Sequence, residues 1–261
     1  MEILDHLAAK KDLILAAYAA APGKEPEGGK ASGPVSSAAL AANAFGFFVG
    51  PGPQEPAALL PPLPGCGSFA WPASRVRLEC EVRFPWVGGR HPCLDAMIDL
   101  ADAIIGIESK RFEPFRPRKP AELSSAYNRP VWGQRMRGTE ALRDAIRAGE
   151  LRFEHLDAVQ LVKHAFALRT EAERQGKQGV LYYVYAEPDM LRDPGATESK
   201  PLPRSIIAKH RAEIARFAQA VADDELGFRS IAWRDLLASW GASDNAALQH
   251  HADRLTAQFH P

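Results

Sequence analysis

The sequence predicts an α/β fold: a central mixed sheet with the hairpin of residues 93–110 in its middle and helices on both sides. Three observations carry this. Short runs rich in β-branched residues alternate with period two at 75–86, 93–100 and 103–110. Longer stretches near 36–48, 132–148, 154–174 and 204–223 read as helices. The two kinds of segment interleave along the chain, as layered α/β folds require.

The chain has 261 residues, 46% apolar and 25% charged, the balance of a soluble globular protein of one larger domain or two small ones. Its formal net charge is zero, so no global basic field points to nucleic acid. Cys66, Cys80 and Cys93 lack metal-site spacing, and a reduced, cytoplasmic setting is the simplest inference. Charged residues interrupt the apolar start MEILDHLAAKKDLILAAYAAA, which reads as an amphipathic helix over 2–21 and not as a signal peptide. No apolar segment approaches membrane-spanning length.

PGKEPEGGKASGP, 22–34, has the composition of a flexible linker, so residues 1–34 are read as helix plus linker and 35–261 as the main domain. Ser36 or Ser37 is placed to cap a second helix reaching about Phe48. Residues 50–74, rich in Pro and Gly, read as a long surface loop without catalytic groups. RVRLECEVRFPW then alternates cleanly, with Val76, Leu78, Cys80, Val82 and Phe84 inward and Glu79 and Glu81 on the polar face. It is expected to pair with 93–100.

In the hairpin, Asp95, Met97 and Asp99 share one parity, and Ile104, Gly106, Glu108 and Lys110 share the other strand's. A two-residue loop at 101–102 pairs Leu100 with Ala103, and stepping back along both strands brings Asp95 opposite Glu108. Opposed residues point to one face with Cα atoms about 4.5–5.5 Å apart. Lys110 joins that face about 6.6 Å further along. Two carboxylates so placed suit one hard divalent cation, with Asp99 the second choice of acid.

Between Lys110 and Arg137 stand eight Lys or Arg against two Glu. Arg111, Arg116, Arg118, Lys119, Arg135 and Arg137 are therefore candidates for a phosphate backbone, against an ordinary solvated loop and helix face. Tyr127 and Trp132 in this stretch are candidates for base stacking, though such residues more often anchor a loop. Helices at 154–174, 204–223 and 244–259, a buried strand at 179–188, a short strand in LGFRSIAW and a short helix in WRDLLASWG complete the chain.

An acidic residue, a gap and then Glu-x-Lys at a strand end resembles the PD-(D/E)XK nuclease superfamily. Here the elements are Asp95, twelve intervening residues, and Glu108-Ser109-Lys110, with the proline displaced to Pro92. The stretches SSAALAANAFGFF, LECEVRF, HPCLDAMIDL, IGIESKRFEPF and DAVQLVKHAFAL are similar to a bacterial restriction-endonuclease-like group, from about Ser36 to Trp240. The resemblance implies a restriction-endonuclease-like core and metal-dependent hydrolysis of phosphodiester bonds, DNA first. It implies magnesium held by Asp95 and Glu108 with the Ser109 carbonyl, and Lys110 acting on water and transition-state charge. Glu79 and Glu81, from their place on the polar face of the 75–86 strand, are candidates for a further acid, against solvent-facing partners for Arg. Gln160 matches a Gln that relatives carry on the helix after the catalytic strand. The Gln that commonly sits early in the 36–48 helix is absent, with Ala38 and Ala39 in that region.

Two other readings use the same residues: a binding module of this fold without hydrolysis, and an interaction protein whose hairpin charges are solvated. The chain holds its own control in Glu198-Ser199-Lys200, a second Glu-x-Lys set among Pro and Gly where no regular strand is expected. His164 on the 154–174 helix reads as a structural histidine.

Overall fold

The computed structural model describes residues 1–21, 36–50, 60–86, 91–117, 122–192 (Arg192 by its backbone alone) and 198–261. The expected linker 22–34, part of the 50–74 loop, and Arg118 and Lys119 lie outside them. The strands are β1 (Arg75–Glu81), β2 (Cys93–Asp99), β3 (Ala103–Lys110), β4 (Gln178–Tyr185), β5 (Met190–Arg192), β6 (Ser199–Pro201) and β7 (Gly227–Ala232). The α-helices are α1 (Lys11–Ala20), α2 (Ser37–Gly46), α3 (Arg137–Ala148), α4 (Ala158–Gln175), α5 (Arg204–Ala220), α6 (Trp233–Gly241) and α7 (Ala246–Phe259).

Five strands form one mixed sheet in the order β1-β2-β3-β4-β7. β1, β2 and β3 run antiparallel, while β3, β4 and β7 run parallel, so β3 is the central strand at which the pattern changes. The expected hairpin register is found: Leu100 N–H donates to the Ala103 carbonyl at 2.8 Å, and the ladder runs from Asp99↔Ile104 to Ala96↔Ile107. Every β3 residue but Lys110 is buried, because helices cover both faces.

One face carries α1, α2, α6 and α7 around Leu40, Phe45, Ile105, Ile107, Trp233 and Trp240. The N-terminal helix shares this core: Ile14 is wholly buried, and Tyr18 Oη donates to the Ala38 carbonyl at 3.0 Å. The opposite face carries α3, α4 and α5 around Ile104, Phe166, Leu168, Leu181 and Phe217. Trp132 stacks on Phe166 with centroids 3.8 Å apart and Tyr127 is also buried, so both aromatic side chains anchor the 122–136 segment. α4 comes close to the sheet at Gly106, where a Cβ would lie 2.6 Å from Leu94 Cδ1 and 2.8 Å from Leu168 Cδ2.

The structure corrects the sequence reading in three places. Val76, Leu78, Cys80, Val82 and Phe84 are all buried as expected, but not on one side: Val76 and Leu78 enter the first core, and Cys80, Val82 and Phe84 enter the second. The change falls at Glu79, whose φ of +48° is the left-handed conformation that twists a strand locally. α4 starts at Ala158, not 154, because the N–H groups of Glu154, His155 and Leu156 all go to the Glu213 carboxylate and Asp157 becomes the cap. Ser199–Pro201 does form a strand, a short exposed one paired with β5, despite the prolines around it.

Candidate active site

Asp95, Glu108 and Lys110 come together where β2 and β3 part. The ladder closes at Ala96↔Ile107, and two residues further Ser109 N–H meets Asp95 Oδ2 at 2.6 Å in place of a strand partner. In an antiparallel pair the N–H and C=O of one residue address the same neighbour. The Ser109 carbonyl therefore faces the same gap as its N–H. Ser109 Oγ is held from the other side by Trp233 Nε1 at 3.2 Å, which keeps this part of β3 from turning.

Glu108 is 2% exposed and has a cationic or imidazole partner at each oxygen. Lys110 Nζ forms an ion pair with Oε1, and His164 Nδ1 lies 3.0 Å from Oε2. Burial works to raise the Glu108 carboxyl, but Lys110 and His164 outweigh it and hold the group down at about 2. Lys110 shows the converse: burial works to lower its ammonium, and Glu108, Asp95 and Glu113 carry it above the usual lysine range. Asp95 is pushed well above the ordinary carboxylate range by burial and by the Glu108 charge, with Lys110 offsetting part.

Glu79 joins from the other side. Leu78↔Ala96 and Cys80↔Leu94 bracket it, which sets it opposite Asp95, and its Oε2 accepts from Cys93 Sγ at 3.5 Å. Glu81 turns away to an ion pair with Arg83 at 2.8 Å. Asp99 is bound through both oxygens by Arg77 at 3.0 Å, so the second-choice acid belongs to a surface ion pair.

Gln160 is half-buried on α4, one turn before His164 and on the same helix face. His164, expected to be structural, instead lies against Glu108. Its signal was position: it stands among Leu161, Val162, Ala165 and Leu168 on the buried stripe, where an imidazole must find a polar partner. Asn43, the one polar residue inside α2, is consumed structurally by Leu4 N–H and the carbonyls of Glu2 and Ala39.

Among the described residues, the basic side chains after β3 do not make one surface. Arg111 is 5% exposed, stacks on Phe112 and Phe259 and donates to the Phe259 carbonyl, so it faces α7 rather than solvent. Arg116 lies over the Phe112 ring at 5.0 Å. Arg135 pairs with Glu173 at 2.8 Å and Glu225 at 3.3 Å, beside the α4 terminus remote from His164. Nine residues of helix separate Glu173 from His164, about 13 Å. Arg137 is exposed at the start of α3.

No family model, curated protein or solved structure matches the chain. What the site can do rests on its own geometry.

Two carboxylates and a main-chain carbonyl are hard oxygen donors of the kind magnesium takes, with water filling its remaining places. Among the described residues no three His, Cys, Asp or Glu side chains gather as a metal-holding group. The fit therefore depends on Asp95, Glu108 and the Ser109 carbonyl together. The mutual repulsion of Asp95 and Glu108 favours it, since a cation between them relieves that repulsion.

The same repulsion gives a stability prediction. Asp95 has a raised folded pKa, so its contribution to stability is greatest at low pH and falls as pH rises through the carboxylate range toward that pKa. Asp95→Asn removes the charge and keeps an oxygen for Ser109 N–H. It is expected to raise the melting temperature at pH 8 by about 2–4 °C, with a much smaller gain near pH 4, by scanning calorimetry without metal. An unchanged or lowered value at pH 8 would mean that Asp95 is not under this strain.

Proposed function

We propose that this chain is a magnesium-dependent nuclease with a restriction-endonuclease-like core, hydrolysing phosphodiester bonds in DNA. The observation that carries the reading is the placement of Asp95, Glu108 and Lys110 on one sheet face at the open end of the β2–β3 hairpin. Asp95 and Glu108, with the Ser109 carbonyl, would hold the ion. Bound there, magnesium supplies positive charge that acidifies water and offsets the phosphate.

The protein's own groups have separable tasks. Asp95 and Glu108 position negative charge at fixed separation, because Ser109 N–H anchors one and His164 orients the other. His164 is in this sense a positioning residue. Lys110 is held charged by three carboxylates, which makes it a poor base and a good partner for charge building on phosphate oxygens. Gln160, on the helix face that carries His164, is placed to order a water or the lysine.

A reduced cytoplasmic setting goes with this reading: Cys66, Cys80 and Cys93 are free. No helix among the described residues is long and apolar enough to cross a membrane. One observation favours the alternative, a nucleic-acid- or protein-binding module of this fold without hydrolysis: both Glu108 oxygens already have partners within the chain. Incubation of supercoiled and linear DNA with the protein, with and without magnesium, separates the two. Cleavage that depends on magnesium is expected, and intact DNA under both conditions would leave the binding module standing.

A further inference from the structure

With the described basic residues of 110–137 dispersed, another surface offers grouped cations. A concavity of about 640 Å³ opens between residues 152–154 and α5, lined by Arg152, Phe153, Glu154, Lys209, Glu213 and Arg216. Arg152, Lys209 and Arg216 are exposed. The two acids weigh less than their number. Glu213 is turned inward, accepting from the N–H groups of Glu154, His155 and Leu156 at 2.7, 2.8 and 2.7 Å. Glu154 is 4.0 Å from Lys209 in an exposed pair, of a kind worth about 0–1 kcal/mol. A phosphate readily displaces such a partner.

Both walls are tied to the strand end that carries Lys110. His155, next to Glu154, donates from Nδ1 to the Pro114 carbonyl at 2.9 Å, four residues beyond Lys110. His210, next to Lys209, is hydrogen-bonded to Tyr183 Oη at 3.1 Å, and Tyr183 pairs with Glu108 in the β3–β4 register. The groove is also firm. Arg216 donates to the Arg152 carbonyl at 2.6 Å and lies over Phe153 at 4.2 Å, so its wall is held before anything binds. Along α5, Arg204, Lys209 and Arg216 stand against Glu213, while Arg211 is taken up by Glu187.

We infer that this groove holds the phosphate backbone of a polynucleotide flanking the bond at Glu108 and Lys110. The inference rests on the nuclease reading for the position of that bond, but it concerns binding, which is measured separately. Arg152, Lys209 and Arg216 make sequence-independent contacts there, so the groove adds affinity and register without base specificity.

The test is fluorescence anisotropy of labelled DNA oligonucleotides, single-stranded and duplex, with full-length protein in EDTA across a range of salt. Lys209→Ala with Arg216→Ala is expected to weaken binding about tenfold or more and to flatten the log–log salt dependence by about 1.4–1.8, two contacts' worth. Lys209→Arg, which keeps the charge, is expected to bind as the parent does, and thermal melts check that all variants fold. Parent and double variant binding alike with the same salt slope would overturn the groove while leaving the nuclease reading intact. DNA binding that depends on the groove, in a protein that never cleaves with magnesium, would support the groove and sink the nuclease reading. A parent that binds neither DNA form would overturn both.

Discussion

Glu108→Gln is expected to remove magnesium binding and cleavage together. Glutamine keeps the shape of the side chain but not its charge, so the ion loses one of its two anionic ligands. The cleavage rate should fall about 10³-fold or more, as expected when the main electrostatic contributor is removed. A structural effect accompanies it. Glu108 is 2% exposed and serves both Lys110 and His164, so its neutralisation leaves the half-buried Lys110 ammonium without its nearest counter-charge. Breaking such a pair costs about 3–5 kcal/mol. Circular dichroism at the assay temperature is therefore needed beside calorimetric ion binding and single-turnover cleavage. A folded Glu108→Gln protein that cleaves at the parent rate would place the chemistry somewhere else.

Lys110→Ala is expected to separate binding from chemistry. Asp95, Glu108 and His164 remain, so magnesium should still bind, and it should bind somewhat better because a competing cation is gone. Cleavage should fall about 10²-fold, mostly in the chemical step, since the lysine charge acts on the transition state. Lys200→Ala is the matched control. Its Glu-x-Lys sits at the exposed strand β6, with Lys200 opposite Leu191 in the β5–β6 ladder. That variant should match the parent in both assays. If Lys110→Ala cleaves as fast as Lys200→Ala, the lysine has no part in the reaction.

The hairpin was legible because antiparallel pairing is rigid: once a two-residue loop is chosen, the opposed pairs follow, as found from Asp99↔Ile104 to Ala96↔Ile107. β4 and the helices after the first were legible through periodicity, to within about five residues at their ends, whereas the helix expected over 2–21 is a 3-10 stretch over Asp5–Lys10 followed by α1 (Lys11–Ala20). What was hidden came from distant partners. Nothing local at 154–156 announces that Glu213, far along the chain, will take three N–H groups and delay the start of α4. The change of side in β1 turns on one left-handed residue, Glu79, of a type that rarely adopts that conformation. His164 was visible as a buried histidine, but its partner was fixed by how α4 lies across β3. The basic residues misled because sequence proximity was taken for a shared surface, whereas Arg111 faces α7 and Arg135 joins Glu173 and Glu225.

The close approach at Gly106 has a consequence for how such a site drifts over time. The absent side chain there sets the spacing between α4 and β3, since Leu94 and Leu168 already fill the space a Cβ needs. His164 rides on that same helix, one turn before Leu168, so the spacing also sets its reach to Glu108. Positions 94, 106 and 168 therefore form one volume shared among three residues. Enlarging any of them forces compensation by the others, or else lifts the imidazole away from the carboxylate. In a set of descendants of this sequence, the three should vary as a unit, and lineages that lose the glycine without shrinking a leucine should be those in which the histidine is released from selection.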